Sequence, residues 1–168
     1  DPMQQTPRER LQAPSSDALF GTDMYGRDLF SRVLHGGQVS LVVGLSVAAL
    51  ATSFGLVIGL ISGFIRSVDA VIMRLMDALM SIPSILLAIA LLAFLGSGFV
   101  NLVLAIGVVY VGPFARVGRA AVMTVREEQF VEASRALGSR DMRVLLGAVL
   151  PAAAAPMLVE TTLRLAYA

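Results

Sequence analysis

The residue types that perform most enzyme chemistry are scarce in this sequence. Its 168 residues include no cysteine and no lysine, and His35 is the single histidine. Thiolate and histidine metal clusters and the usual nucleophilic triads are therefore excluded. A phosphate loop of the Gly-x-x-x-x-Gly-Lys type is excluded as well, because it requires a lysine. We expect no catalytic site, no metal site and no cofactor bound by this chain.

The segment 126–151 points to a binding function, namely docking onto a partner. It is the one long polar stretch between apolar runs, and it begins with the periodicity of a short amphipathic helix. Gly138 follows where a helix end needs positive φ, and Ser139 can cap a second helix that begins at Arg140. The residues alone leave two alternatives open: a solvated connector, or a helix whose apolar face lies in the groove of a partner.

The elements that position this segment follow from composition. The sequence is 57% hydrophobic and 15% charged, with a mean hydropathy of +0.80. A soluble domain is about 45–50% apolar and about 25% charged. We therefore predict an all-α polytopic membrane protein, and neither a soluble nor a disordered one. The net charge of +1 offers no field that would attract nucleic acid.

The predicted spans lie in two charge-free runs, 38–65 and 78–115, and in an apolar stretch after Val144. A transmembrane helix needs about 20 apolar residues, so the longer run must contain two helices. We expect the turn between them at Gly96-Ser97-Gly98. The polar residues 1–32 contain no signal-peptide core, and the chain ends inside an apolar helix, so we expect a fragment of a longer protein. The predicted spans are 39–65, 80–95, 100–118 and a fourth from residue 144 to the end.

The arginines predict the orientation of these spans. The link from Gly96 to Asn101 has no charge, whereas two arginines lie in the preceding link and six lie from the end of the third span, where Arg116 is the first of them, to the start of the fourth. Cytoplasmic loops carry the excess of arginine. We therefore expect the segment 126–151 on the cytoplasmic side and the N-terminal segment 1–37 outside.

Helix packing is indicated by small residues in the first span. They recur every four positions and share one helix face, which lets another helix approach closely. These residues are Ala51, Gly55, Gly59 and Gly63. The face predicts either packing within this subunit or an interface between subunits.

The link between the first two spans predicts a short interfacial helix. Ser67 is placed to cap it, Asp69 lies in its first turn, and Val71 and Leu75 belong to its apolar stripe. Pro83 lies near the start of the next span, where a kink is tolerated.

Two other sets of charged residues are candidates for a role. Glu160 and Arg164 lie four apart in the fourth span, the favourable order on a helix. Ionisable residues inside a span are functional candidates, so this is either a structural pair or part of a translocation pathway. In the N-terminal segment, Asp23, Arg27 and Asp28 are placed to cap and brace a turn.

The docking segment resembles the EAA motif of importer-type ATP-binding cassette (ABC) permeases. That motif consists of an acidic residue, two small residues, a glycine a few positions on, and a later apolar-proline pair. The corresponding positions are Glu132, Ala133, Ser134, Gly138, Leu150 and Pro151. Ser134 in place of the second alanine is a mild departure.

Two longer runs resemble the dipeptide/oligopeptide (and nickel) importer family in particular. One is 129–138, and the other is 20–32, with Gly-Thr-Asp at 21–23 and Gly-Arg-Asp at 26–28. The second run looks like the signature of the second, C-type permease subunit of that family. The two runs lie near both ends of the chain, which makes the resemblance more specific than an EAA motif alone.

The resemblance implies the helical bundle of a type I ABC importer permease, with six spans. Residues 38–168 would be a partial transmembrane domain that lacks the first and last spans, and 1–37 an extracytoplasmic segment. The EAA helix of the family sits in a cleft of the ATP-binding subunit. Carried over, the coupling residues would be Glu132, Ala133, Ser134 and Gly138, with Leu150 and Pro151 later in the loop.

The resemblance also implies the partners and the location. These are a second permease subunit, two ATP-binding subunits that use ATP and Mg²⁺, and an extracytoplasmic solute-binding protein, in the cytoplasmic (inner) membrane of a bacterium or archaeon. The implied cargo is a peptide, with nickel, glutathione or oligosaccharide as alternatives. An intramembrane enzyme is a remote alternative, because the first three spans lack clustered ionisable groups. A passive membrane scaffold is another alternative function, but the predicted docking helix argues against it.

Overall fold

The computed structural model describes residues 3–16 and 18–167, without the side chains of 164–167. Within these residues the regular structure is helical, apart from one bridge between Thr22 and Asp28. A 3₁₀ turn at Pro7–Glu9 comes first, and a π-turn at Leu145–Val149 joins α6 to α7. The helices are α1 (Leu29–Phe64), α2 (Arg66–Met80), α3 (Ser84–Leu95), α4 (Phe99–Arg126), α5 (Gln129–Ala136), α6 (Asp141–Val144) and α7 (Leu150–Tyr167). The predicted all-α class is confirmed.

The chain forms two compact units, Asp1–Gly44 and Leu45–Ala168, and the boundary falls inside α1. Three helical segments are long and apolar enough to cross a membrane: Leu29–Phe64, Phe99–Arg126 and Asp141–Leu163. The helices α2 and α3 meet at a bend of 89° and supply a fourth crossing if they are counted as one broken span.

Two predicted helix boundaries are wrong. The helix α1 begins at Leu29, ten residues before the predicted start, and α4 ends at Arg126, eight residues after the predicted end. A charge-free run marks the part of a helix that suits lipid. The helix itself continues for as long as its backbone hydrogen bonds are made, so Arg32 does not prevent α1 from starting earlier.

The second predicted span is shorter than expected. It begins at Ser84, after Pro83, and its 12 residues are about 18 Å long. The hydrocarbon core of a bilayer is about 30 Å thick. Pro83 has no N–H and restricts the residue before it, so the chain breaks between α2 and α3 and does not continue as one helix.

Two predicted caps are also wrong. The N-cap positions of α2 and α6 are Ile65 and Arg140, and neither makes a side-chain cap hydrogen bond. Ser67 lies inside α2. The N–H of Ser139 donates to the Ser134 carbonyl, so Ser139 belongs to the end of α5 and not to the start of α6. The acidic first turn predicted for α2, with Asp69, is confirmed.

The register of the contacts gives the direction of each helix. Moving along α1 from Gly55 to Gly63, the contacts on α4 advance from Phe114 to Val122, so the two helices run parallel. Because the two helices point the same way, the chain must return to the side where α1 began before α4 starts. The intervening pair α2/α3 is the part of the chain that makes this return.

The order of contacts along α2 is opposite to the order along α4. Asp69, near the start of α2, pairs with Arg119 of α4, whereas Met80, at the end of α2, lies beside Gly112. The pair α2/α3 therefore carries the chain back between α1 and α4.

The predicted small-residue face of α1 lies against α4 of the same chain. A Cβ added to Gly59 would lie 2.9 Å from the Ala115 carbonyl oxygen and 3.0 Å from the Gly118 carbonyl carbon. Gly55 and Gly63 have equally close neighbours on α4, and Ala51 is buried beside Phe114. The two backbones touch along this face, which only small residues allow.

Candidate functional site

The helix α5 is attached to the bundle by one buried side chain. Val131 is 0% exposed and lies in a cluster of apolar side chains. The other buried members of the cluster come from α1, α4, α6, the π-turn and α7. They are Leu60, Val122, Val144, Val149 and Ala153. A movement of α5 would therefore act on the core of the bundle through Val131.

The opposite face of α5 is exposed. Glu132 and Ala133 lie on the surface, as do the apolar side chains of Phe130 and Leu137, the latter 88% exposed. The Ser134 hydroxyl donates to the Phe130 carbonyl at 2.8 Å, which leaves this small side chain turned back on its own helix. One exposed helix thus offers a carboxylate and apolar groups together.

Gly138 ends α5 in the left-handed conformation, with φ 81°. Its N–H donates to the Arg135 carbonyl at 2.9 Å, and the N–H of Ser139 donates to the Ser134 carbonyl at 3.1 Å. This pair is a Schellman motif, which fixes the direction in which the chain leaves the helix. No atom lies within 4 Å of an added Cβ, so backbone conformation alone favours glycine. The predicted positive φ is confirmed.

The end of α4 and the helix α5 also hold the C-terminal end of α1 from two sides. Arg126 Nη1, at the end of α4, donates to the Gly63 carbonyl at 3.0 Å. The Arg135 guanidinium of α5 lies 5.6 Å from the centroid of the Phe64 ring, within cation–π range, and its Nε is 3.8 Å from Asp141 Oδ1. These contacts give α5 a second link to the bundle.

Leu150 and Pro151 begin α7 directly after the π-turn. Leu150 is half-buried and packs against the cluster that holds Val131, whereas Pro151 is exposed. Proline has no N–H, and its ring crowds the carbonyl four residues earlier, so the wider π-turn before it accommodates the ring. Of the two, Leu150 alone joins the packing beneath α5.

Two ion pairs that tie α2 to α4 could not be predicted from the sequence. Arg119 binds Asp69 in a bidentate arrangement, with both N···O distances 2.5 Å, and Arg116 Nη2 is 2.5 Å from Asp77 Oδ1. The partners are 50 and 39 residues apart. The sequence shows only that acidic residues lie at the edge of one apolar segment and arginines at the edge of another. It does not show which acidic residue pairs with which arginine.

We expect Asp69→Asn to lower the thermal stability of the purified transporter and Asp77→Asn to leave it nearly unchanged. The side chains of Arg119 and Asp69 are 29% and 22% exposed, so removing one carboxylate leaves a half-buried cation at a cost of about 1–3 kcal/mol. The side chains of Arg116 and Asp77 are 54% and 60% exposed, and such a pair contributes about 0–1 kcal/mol. Equal shifts in Tm for the two variants would contradict this assignment.

The predicted pair in the fourth span falls partly outside the described residues. Glu160 is half-buried in α7, whereas the side chain of Arg164 is among those that the structure does not describe. Directly after Glu160 in the sequence, Thr161 Oγ1 lies 3.0 Å from Thr52 Oγ1 of α1. Within residues 3–16 and 18–167, no group of three histidine, aspartate or glutamate side chains could hold a metal ion.

The charged residues of the N-terminal unit cap and brace a turn, as predicted. Asp23 accepts hydrogen bonds from the N–H groups of Tyr25 and Arg27 and from the side chains of Arg27 and Arg32. Partial burial raises the pKa of the Asp23 carboxyl, but these donors outweigh it and lower the pKa to about 2. Asp28 accepts from the Ser31 N–H and hydroxyl at the start of α1.

Comparison with known proteins places this geometry in a family. Residues 55–168 match the binding-protein-dependent transport system inner membrane component. The chain is 44% identical over 161 residues to a Brucella suis protein named for a peptide transport system permease, covering 96% of this chain and 54% of that protein. It is 42% identical over 158 residues to the dipeptide transport system permease protein of Alkalihalophilus pseudofirmus, covering 94% and 52%.

A third relative is the di/tripeptide transport system permease protein of Pseudomonas aeruginosa, 42% identical over 164 residues, covering 97% of this chain and 54% of that protein. The chain spans about half the length of the curated relatives it matches. The resemblance to peptide importer permeases is confirmed by these matches. The chain belongs to the family of inner membrane components of binding-protein-dependent transport systems.

Proposed function

We propose that this chain is part of the permease subunit of an ABC importer and helps to form the path by which peptides cross the cytoplasmic membrane. The observation that carries the proposal is α5, an exposed helix with the EAA-type residues Glu132 and Ala133, anchored in the bundle core by Val131. Relatives named for peptide, dipeptide and di/tripeptide transport support the substrate class.

The proposed mechanism is mechanical coupling. A partner ATPase binds the exposed face of α5, and its movement displaces that helix. Val131 transmits the displacement to the cluster that joins α1, α4 and α7, and Arg135 transmits it to Phe64 at the end of α1. The spans then open alternately to either side of the membrane, which packed helices do by small rigid shifts.

The chemistry of ATP belongs to partner subunits in this proposal, because the sequence has no lysine for a phosphate loop. Two ATP-binding subunits would bind ATP and Mg²⁺. A second permease subunit would complete the path, and a solute-binding protein outside the membrane would deliver the peptide. The family description, which names binding-protein-dependent transport, supports the last of these partners.

A second candidate substrate is glutathione. The chain is 34% identical over 155 residues to the glutathione transport system permease protein of Pectobacterium atrosepticum, covering 92% of this chain. Glutathione is itself a peptide with a γ-linked glutamate, so one permease architecture suits both. The identity is lower than for the dipeptide relatives, and we therefore propose di- and tripeptides first.

The test is uptake by the assembled transporter reconstituted in vesicles with its solute-binding protein. We expect ATP-dependent uptake of labelled dipeptides and tripeptides, and weaker uptake of glutathione. Glu132→Lys should lower peptide uptake by more than about tenfold, because a charge mismatch at an interface costs about 2–5 kcal/mol. Glu9→Lys, a change of the same charge at another exposed position, should have no effect.

The outcomes separate the two parts of the proposal. Uptake of glutathione, nickel or oligosaccharide without uptake of α-linked peptides would overturn the substrate class. Full peptide uptake by the Glu132→Lys transporter would overturn the role of α5 and leave that helix a solvated connector.

A further inference from the structure

The helix α2 has one face covered by α4. Met76 is buried there, with Ile72, Met73 and Leu79 packed around it, and Val111 and Ala115 lie opposite on α4. The acidic residues of α2 form ion pairs with α4: Asp69 pairs with Arg119, and Asp77 pairs with Arg116. Asp77 is itself 60% exposed but is paired with Arg116, so the exposed charges of α2 that have no ion pair among the described residues are basic.

Two cations dominate the polar part of the exposed surface of α2. Arg66 and Arg74 are both exposed, and neither has an ion pair within the part of the chain that the structure describes. At about 100° per residue they fall about 80° apart around the helix axis, on the same side. Together they form a basic edge.

The other part of the exposed surface is apolar. Val71 is 72% exposed and Leu75 is 61% exposed, and the two lie four residues apart on one side of the helix. The basic edge and this apolar edge flank the exposed surface opposite α4. Such a division is typical of a helix that lies in a membrane interface, with apolar side chains in the acyl boundary and basic side chains at the headgroups.

The geometry of the α2/α3 break fits that placement. The axes of the two helices differ by 89°, and α3 is the uncharged, apolar member of the pair. The two helices therefore cannot both lie along the membrane normal, and α2, the charged member of the pair, is the one that suits the interface. The arginine distribution puts this interface on the cytoplasmic side.

We propose that α2 is a docking site for anionic phospholipid of the cytoplasmic leaflet. Val71 and Leu75 insert between acyl chains, and Arg66 and Arg74 bind the headgroup phosphates. Each arginine near an anionic surface contributes about fivefold to local enrichment, so the pair contributes about thirtyfold. The inference depends on the membrane location of the chain and not on the transported substrate.

The test measures which lipid surrounds α2 in the assembled transporter. The sequence has no cysteine, so Val71→Cys provides a single site in this subunit for a fluorescent dye, in partners freed of cysteine. The transporter is placed in phosphatidylcholine discs with a trace of acyl-chain spin-labelled phosphatidylglycerol or, separately, spin-labelled phosphatidylcholine. We expect the dye to be quenched by both lipids, and phosphatidylglycerol to be enriched by up to about thirtyfold.

Removing the basic edge should remove the preference. In the Arg66→Gln/Arg74→Gln variant the two spin-labelled lipids should quench equally, whereas Arg8→Gln/Arg10→Gln, which removes the same charge from the N-terminal unit, should keep the enrichment. Added inorganic phosphate should not change it. Equal quenching in the parent protein would overturn the headgroup role, and absence of quenching by either lipid would show that protein covers this face.

Discussion

Replacing Gly59 with leucine is expected to prevent assembly of the transporter, because α1 and α4 touch through their backbones at this residue. An added Cβ would lie 2.9 Å from both the Ala115 carbonyl oxygen and the Arg119 nitrogen. A helix backbone cannot turn aside as a flexible side chain can. Overpacking a core costs about 1–3 kcal/mol, and leucine at a backbone contact should reach or exceed the upper end of that range.

Two controls separate this contact from a general effect of leucine. Gly36→Leu makes the same substitution in the same helix, where no atom lies within 4 Å of the new Cβ. Val57→Leu enlarges a side chain that is 54% exposed two residues away. The measurement is the yield of complex recovered through a tagged ATP-binding subunit. Gly59→Leu should lower it more than about tenfold. A yield equal to that of the controls would rule out close packing at Gly59.

The small-residue face illustrates what a single sequence can predict. The four-residue spacing of Gly55, Gly59 and Gly63 is a local pattern, so the existence of the face could be predicted. Its partner could not, because that choice depends on the register between helices far apart in the chain. The position of Gly118 opposite Gly59 depends on the packing of α1 against α4 and not on a local pattern.

The same distinction explains the errors around α2. The sequence predicts a kink at Pro83, but the bend of 89° depends on how α2 packs against α4. That packing includes the Asp69–Arg119 pair, whose partners are 50 residues apart. Local propensities carry no information about such a contact. The predicted serine caps failed for a related reason, since cap preferences are weak compared with the turns that surround them.

The α5 segment was the most predictable part of the candidate site. Its helix is short, and its end depends on a local rule, the preference for glycine at positive φ, which Gly138 follows. The buried anchor Val131 could not be singled out, because valine is common on both sides of the predicted helices and burial is decided by distant elements. The presence and the end of α5 could therefore be predicted from the sequence, whereas its attachment to the bundle through Val131 could not.

Gly138→Val is expected to abolish transport while leaving the subunit in the membrane. The φ of 81° at this position is strained for any β-branched residue, at a cost of about 1–3 kcal/mol. The space around Gly138 is open, so the effect comes from the backbone and not from a clash. To relieve the strain, the Schellman turn must open, and α5 would then present Glu132 to the proposed ATPase partner at a new angle. We expect ATP hydrolysis to lose its stimulation by substrate.

The decisive comparison is with Gly138→Asn and Gly147→Val. Asparagine tolerates the left-handed conformation. Gly138→Asn should therefore keep most substrate-stimulated ATPase activity and uptake, although it also adds a side chain at this position. Gly147→Val places the same β-branched residue in the π-turn, where an added Cβ also meets no atom within 4 Å and φ is not positive. It should therefore perturb coupling far less than Gly138→Val. Wild-type coupling in Gly138→Val, or equal loss in all three variants, would show that the geometry of the α5 end does not control transport.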